Sequence, residues 1–374
     1  MQGKLKTAIV HDLVTGNGGA DSTLESILKI YPSPVYTLMA KHAELISTVL
    51  GSADIKTSFI QKLPFGVKKY RSYLPLYPLA IEQFDLRQYD LILSSSFIVA
   101  KGAISGIDQL HICYLHNPIR AAWELYQSFL NHRGNQKGIK GHFIRGVLHF
   151  MRLWDVVSAN RVDYFIANSN FTAKRIEKLY RRESTVIYPP VDTDVFKLEE
   201  SKDDYFISAS RLVYHKRVDI LVKAFTAMPN KRLIVAGDGP ELAYLKSIAG
   251  ANVIFLGQQP RSSLVSYMQK ARAFVFAAQE DFGIAPVEAM ACGTPVLAFA
   301  KGGILETVIE NKTGLFFPEQ TPDSIIDCVN RFDRLSNFFV SGVISASVNR
   351  FSRQRFEQEY RDFVAEKTAI FFKS

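Results

Sequence analysis

Short apolar runs alternate with helix-patterned stretches through both halves of this chain, and nothing else in it narrows the fold as far. In the first half the runs are TAIVHD, PVYTLM, YDLILS, QLHICYLH and VDYFIANS, with helical spacing between them, as over 22–30 and in KRIEKLY. Such runs, apolar on both sides and separated by helices, predict the buried strands of a doubly wound α/β sheet. The stretch TVIYPPVDTDVF carries two prolines and little regular pattern, which places a domain boundary within 186–197. The alternation then restarts with DYFISAS, RLIVAGD, NVIFLG, AFVFAAQ and PVLAFA, separated by VDILVKAFTAM and SSLVSYMQKA. A second Rossmann-like domain follows. Near the end, Phe356, Tyr360, Phe363 and Val364 recur at helical spacing among charged neighbours, predicting an amphipathic helix over 353–372. The expected division is 1–190, 191–352 and 353–374.

A chain of 374 residues, 47% apolar and 22% charged, suits two globular domains. No apolar run approaches the roughly 20 residues that cross a bilayer. The opening MQGKLKTAIVHDL reads as a strand rather than a leader. Cys113, Cys292 and Cys328 are too few and too scattered for a disulfide framework or a thiolate zinc site. They read as small core residues of a cytoplasmic protein. A net charge of +9 suits nucleic acid or an anionic membrane, and no nucleic-acid motif is present. The stretch 62–79, KLPFGVKKYRSYLPLYPL, interleaves Lys68, Lys69 and Arg71 with Phe65, Tyr70, Tyr73, Leu74 and Tyr77. Two readings stay open there. One is a peripheral contact with an anionic membrane surface, each basic residue contributing about 1 kcal/mol. The other is a helix whose aromatic stripe belongs to the core.

Chemistry concentrates in EDFGIAPVEAMACGTPVLA, residues 280–298. Glu280 falls at the carboxyl end of a predicted strand, where open α/β sheets bind ligands. Pro286 suits the first turn of a helix that Gly293 closes, and Glu288 lies inside it. The helix start offers unpaired N–H groups and partial positive charge to a phosphate. Two carboxylates eight residues apart suit the vicinal hydroxyls of a sugar or a ribose. Either Glu alone would read as a solvated residue; turn, proline and spacing together point to a sugar nucleotide.

Cations stand at another strand end, in SRLVYHK. Arg211 and Lys216 can neutralise the roughly two negative charges of a departing diphosphate, while Arg217 reads as solvated. The turn AGDGPE places Gly237 between a strand and a helix, where a ligand can approach the backbone. HDLVTGNGGAD does the same with Gly16, Gly18 and Gly19 after the first strand. In CYLHNPIRAAWELY, His116 ends a strand, followed by Asn117, Pro118, Arg120 and Trp123. Arg120 suits an acceptor phosphate or a loop brace, and Trp123 a sugar face or the core. No Asp-x-Asp pair sits at a suitable strand end, since Asp192-Thr193-Asp194 lies in the proline-bearing linker. No metal site is expected.

These residues resemble the retaining glycosyltransferases of family 4, and the likeness runs almost end to end. The resemblance implies the GT-B fold: two Rossmann-like domains facing a central cleft, the first on the acceptor side, the second binding the nucleotide sugar, and a terminal helix crossing back to the first. It implies that Glu280 contacts the donor sugar and Glu288 the ribose, in the family's E-x7-E pattern, with the amides of Phe282, Gly283 and Ile284 facing the sugar. Arg211 and Lys216 match the diphosphate clamp. Gly237 matches a GxGP turn beside the nucleotide, and Gly257 and Gln258, with Gln259, the loop that reads the base. Gly18 and Gly19 match a GGAE-like loop in which Asp21 replaces Glu. His116 matches the histidine of an HxPxR segment of mannosyltransferases, with Asn117 in place of the commoner Thr or Ser.

The implied reaction moves a hexose, mannose from GDP-mannose being favoured, to a lipid-linked or saccharide acceptor in cell-surface polysaccharide assembly such as O-antigen, with retention and without a metal or cofactor. His116, Glu280, Arg211 and Lys216 would carry it, by a front-face path in which the leaving phosphate helps deprotonate the acceptor. The alternatives are UDP-glucose or UDP-N-acetylglucosamine as donor, or a non-catalytic or epimerase protein on the same scaffold. A cytoplasmic protein on the inner face of the cell membrane is the expected setting.

Overall fold

Strands form where the apolar runs place them. The computed structural model describes residues 5–16, 18–46 and 48–373, so the first four residues of the opening run lie outside the described residues. Two units are distinguished, Met1–Pro190 with Gln354–Ser374, and Val191–Arg353.

The first unit holds seven parallel strands: β1 (Thr7–Val14), β2 (Val35–Ala40), β3 (Ile55–Thr57), β4 (Leu91–Ser96), β5 (Leu110–Leu115), β6 (Tyr164–Ala167) and β7 (Ser184–Val186). Their order is β3-β2-β1-β4-β5-β6-β7. Every residue of β2, β4 and β5 is buried, as expected for strands covered on both faces. β1 pairs with β2 on one side, Ile9 opposite Val35, and with β4 on the other, Thr7 opposite Leu91. The chain order reverses at β1.

Alternate residues of β1 feed two cores. Ala8 and Val10 join Tyr36, Ile92 and Met151 on one face. Ile9 joins Leu24, Leu93 and Tyr114 on the other. The terminal helix, Arg353–Phe371, closes the second face with Phe356, Tyr360, Phe363 and Val364. Phe356 meets the Tyr114 ring edge-on at 5.6 Å, and Lys29 Nζ pairs with Glu357 at 2.8 Å. Burying four such side chains stabilises the unit by at most about 6–12 kcal/mol.

The stretch 62–79 is not one helix. Two 3₁₀ turns, Phe59–Lys62 and Tyr70–Leu76, precede a helix over Tyr77–Glu82, because Pro64 and Pro75 interrupt any longer run. Tyr77 is fully buried, and Tyr70, Tyr73 and Leu74 pack on the first core. Phe65 stays exposed, with Lys69 Nζ 4.9 Å from its ring centre. The core therefore takes most of this aromatic stripe.

The second unit holds β8 (Phe206–Ala209), β9 (Leu233–Ala236), β10 (Val253–Gly257), β11 (Ala273–Phe276), β12 (Val296–Phe299) and β13 (Gly314–Phe317), parallel in the order β10-β9-β8-β11-β12-β13. Phe206, Phe225, Val275, Leu297 and Phe332 lie at the centre of its core. Asp192, in the segment read as linker, binds Arg261 and accepts from Arg353 Nε at 2.7 Å, so it serves as an ion-pair anchor. All three cysteines are buried thiols.

Candidate functional site

In the second unit the chain order reverses between β8 and β11, which pair through Ala273 opposite Phe206. The carboxyl ends of strands at such a point form the usual ligand crevice of open α/β sheets. β8 runs into Ser210 and Arg211, and β11 into the loop that carries Glu280. A 3₁₀ turn, Tyr214–Lys216, then brings Lys216 Nζ to 2.6 Å from Glu280 Oε1, each side chain about one-fifth exposed. Arg217 turns away and pairs with Asp219 at 3.2 Å.

The Glu280 loop is held from the opposite side by Gly302 and Gly303. Gly303 N donates to Glu280 O at 2.9 Å. A β-carbon at Gly302 would stand 2.4 Å from Glu280 O, and one at Gly303 2.1 Å from Asp281 O. Any side chain there would push Glu280 aside. The sequence reading did not single out this glycine pair, although KGG after the strand PVLAFA is its signal.

Gly283 opens the helix Ile284–Ala291, whose first turn has no side-chain cap. Buried Phe282 packs edge-on against Phe351 at 5.3 Å and fixes that opening. Glu288 sits one turn on and is partly exposed. Burial of its carboxyl, opposed by Arg261 and reinforced by Asp192, pushes its pKa up to about 7. Below that pH the group is protonated and has lost acceptor capacity. Affinity for a nucleotide sugar whose ribose binds the carboxylate is therefore expected to rise between about pH 6 and 8. Calorimetric titration across that range checks this, and Glu288→Gln should flatten the profile.

Gly237 is also required by the protein's own packing. Its φ is +132°, and a β-carbon there would lie 1.9 Å from Ser210 O. The close approach that demands glycine is by the protein's own 210–212 backbone, which Leu212 N extends with a 2.9 Å bond to Asp238 O. The turn thereby braces the segment that carries Arg211. Gly237 N also donates to Gly257 O at 2.8 Å. Beyond β10, Gln259 bonds back to Leu256 O, whereas Gln258 is exposed.

The other predicted residues lie in the first unit. Gly18 caps the helix Gly19–Ile30, and a β-carbon on it would meet only Asp21 Oδ2 at 3.5 Å, so packing alone does not demand glycine. Asp21 staples the glycine loop by accepting from Thr15 Oγ1 at 2.8 Å. Burial pushes its carboxyl up, but His11 and Thr15 outweigh that and the net shift is downward. His116 is buried, with Nε2 2.9 Å from Ser95 Oγ. Burial, then the nearby His11, hold its pKa down at about 3, so it acts as a neutral imidazole at pH 7.

Two residues of β1 went unread. His11 is fully buried with Nε2 3.7 Å from Asp21 Oδ1, too long for a hydrogen bond. Asp12 accepts from the backbone N–H groups of Phe97, Ile98, Val99 and Ala100 at 2.5–2.7 Å. The amides that could bind an anion at this unit's own reversal point are thus taken by a side chain.

Arg120 stands 3.8 Å from Glu124, which also receives Arg175. Trp123 donates Nε1–H to Asp155 at 2.7 Å and packs partly buried against the first core. That is the core alternative for this tryptophan, not an open sugar platform. Among the described residues no group of three His, Cys, Asp or Glu side chains is placed to hold a metal ion.

Residues 41–195 match the family model Glycosyltransferase Family 4, and residues 191–336 match Glycosyl transferases group 1. Together the two models span residues 41–336 of the chain. The chain is similar to a D-inositol 3-phosphate glycosyltransferase of Mycobacterium leprae, 30% identical over 203 residues, covering 47% of each chain. It is also similar to an uncharacterized glycosyltransferase of Methanocaldococcus jannaschii, 28% identical over 183 residues and 46% of each. The chain spans about half the length of the curated relatives it matches. Among solved structures, sucrose-phosphate synthase from Thermosynechococcus elongatus aligns with TM-score 0.75 and 17% identity over 98% of this chain and 100% of that one. HepE of Anabaena in complex with UDP-glucose aligns with TM-score 0.72 and 20% identity over 96% and 99%. These likenesses establish the GT-B architecture of two parallel-sheet, Rossmann-like domains.

Proposed function

We propose that the chain is a retaining hexosyltransferase that moves mannose from GDP-mannose to a lipid-linked or saccharide acceptor of a cell-surface polysaccharide. The observation that carries the transferase reading is the Lys216–Glu280 contact of 2.6 Å at the β8/β11 reversal, one strand from Arg211. A cation pair there neutralises charge as the diphosphate departs, the largest kind of electrostatic contribution to such a step. The second unit holds the donor: Arg211 and Lys216 on the diphosphate, Glu280 on the sugar, Glu288 on the ribose, and Gly257 and Gln258 beside the base. In the first unit Arg120 serves the acceptor, while the Gly18–Gly19 loop and the neutral His116 serve the donor. Fixed cations and the helix start at Ile284 take the place of a metal, and the departing phosphate accepts the acceptor's proton on the face where the new bond forms.

Mannose rests on the likeness of the His116–Arg120 segment to mannosyltransferases. A UDP-sugar is the second reading, favoured by the UDP-glucose complex of the Anabaena neighbour. The test incubates the protein with GDP-mannose, UDP-glucose and UDP-N-acetylglucosamine and a short polyprenyl-diphosphate saccharide, with and without chelator, and assigns the product anomer by NMR. An α-mannoside formed in chelator is expected. A β-product or strict manganese dependence would overturn the mechanism, turnover of a UDP-sugar alone would replace the donor, and no turnover at all would favour the binding-protein reading.

A further inference from the structure

The helix Gly138–Ala159 of the first unit is apolar on two sides. Its inner side carries Leu148 and Met151, buried, with Ile144, Val147 and Trp154 packed on the first core. Its outer side carries Ile139, Phe143, Phe150, Leu153 and Val157, which are 90, 66, 49, 56 and 61% exposed. They recur at steps of three, four or seven residues and so form one stripe, about 27 Å long at 1.5 Å per residue. Single exposed apolar residues are ordinary, whereas a continuous row of two phenylalanines and three aliphatics marks an interaction surface.

The charges around the stripe choose its partner. Between residues 125 and 162 the only acidic residue is Asp155, while Arg133, Lys137, Lys140, Arg145, Arg152 and Arg161 are basic. Asp155 is fully buried against Lys101. Arg161 is paired with Glu82 at 2.7 Å, whereas Lys137 and Lys140 at the helix start are exposed, so it is these lysines that bring positive charge to the apolar stripe. A second copy of the chain would bring like charges together, which opposes pairing. An anionic lipid surface answers both features, taking the apolar row into the headgroup–acyl boundary and the cations onto the headgroups. A second, independent segment agrees. Val67, Tyr70 and Leu74 pack on the same core as Ile144 and Trp154, which places the exposed Phe65 and its neighbour Lys69 on the same face of the sheet.

We propose that helix 138–159 is an interfacial anchor by which the protein lies on an anionic bilayer, with Ile139, Phe143, Phe150, Leu153 and Val157 facing the lipid. This goes beyond the transferase reading and stands or falls separately from it. The test is co-sedimentation of the full chain with phosphatidylcholine vesicles, with and without phosphatidylglycerol, alongside sedimentation velocity without lipid. Binding only to the phosphatidylglycerol vesicles, reversed by high salt, is expected. The double variant F143E/F150E should lower the partition coefficient at least about tenfold. F150S alone should give an intermediate loss, with thermal unfolding of both variants unchanged because these side chains are exposed. Wild-type partitioning by the double variant, no binding of the wild type to anionic vesicles, or a wild-type dimer that the double variant dissolves would each overturn the assignment.

Discussion

Lys216→Ala is expected to lower kcat about 10²–10³-fold with saturating donor, the loss seen when one preorganised stabiliser of developing charge is removed. The effect should fall on kcat more than on KM, because the charge on the leaving diphosphate grows as the glycosidic bond breaks. In the chain, Lys216 Nζ is balanced by Glu280 at 2.6 Å. Glu280→Ala should be comparably damaging, since it removes the partner that holds Lys216 in place. The two side chains touch, so the double variant should lose less than the product of the single losses. Steady-state rates of all three variants with the donor that the screen identifies decide the matter. A Lys216→Ala enzyme with near-native kcat would remove this lysine from the chemistry.

Asp155→Ala is expected to destabilise the first unit by about 3–5 kcal/mol, the usual result of leaving a buried charge without its partner. Lys101 is 1% exposed and its Nζ lies 2.5 Å from Asp155 Oδ1. The same carboxylate accepts from Trp123 Nε1 at 2.7 Å and from Tyr180 OH at 2.9 Å. The substitution therefore orphans three donors at once, two of them buried. Both tryptophans of the chain, Trp123 and Trp154, adjoin this network, Lys101 standing 5.3 Å from the Trp154 ring. Urea unfolding followed by tryptophan fluorescence thus reports the first unit. K101M/D155L, which removes both charges, should recover much of the loss. A midpoint for Asp155→Ala equivalent to less than about 1 kcal/mol would show that the network contributes little.

Apolar runs four to eight residues long were readable because a parallel strand buried on both faces needs no alternation. β3 and β7 escaped notice because three residues at a sheet edge carry too little pattern. β13 was hidden by its short GLFF run behind a turn at Asn311, whose φ is +60°. The helix 138–159 gave no clean period, since apolar residues occupy its exposed side as well as its packed one. At the site, Lys216 and Glu280, which the structure brings into contact, were legible from spacing around two strand ends. The brace that Gly237 forms under Ser210 was not, for a glycine motif reports that something comes close without saying what. Asp12 and His11 were read only as part of a strand. Two polar residues at the end of a buried strand just before a glycine loop are the signal that would have found them.

The helix at the far end of the sequence has a consequence for how this protein is made. Ile9 and Tyr114 share a core with Phe356, Tyr360 and Phe363, residues separated from them by the whole of the second unit. A ribosome that has finished the first 190 residues has therefore made a sheet on which Leu24 and Ile27 of the helix Gly19–Ile30 cover only part of this face, the part under the terminal helix being still open. That half must wait, or be shielded by a chaperone, until synthesis passes Val364, and a nascent chain arrested earlier would leave Tyr114 and its neighbours open to aggregation.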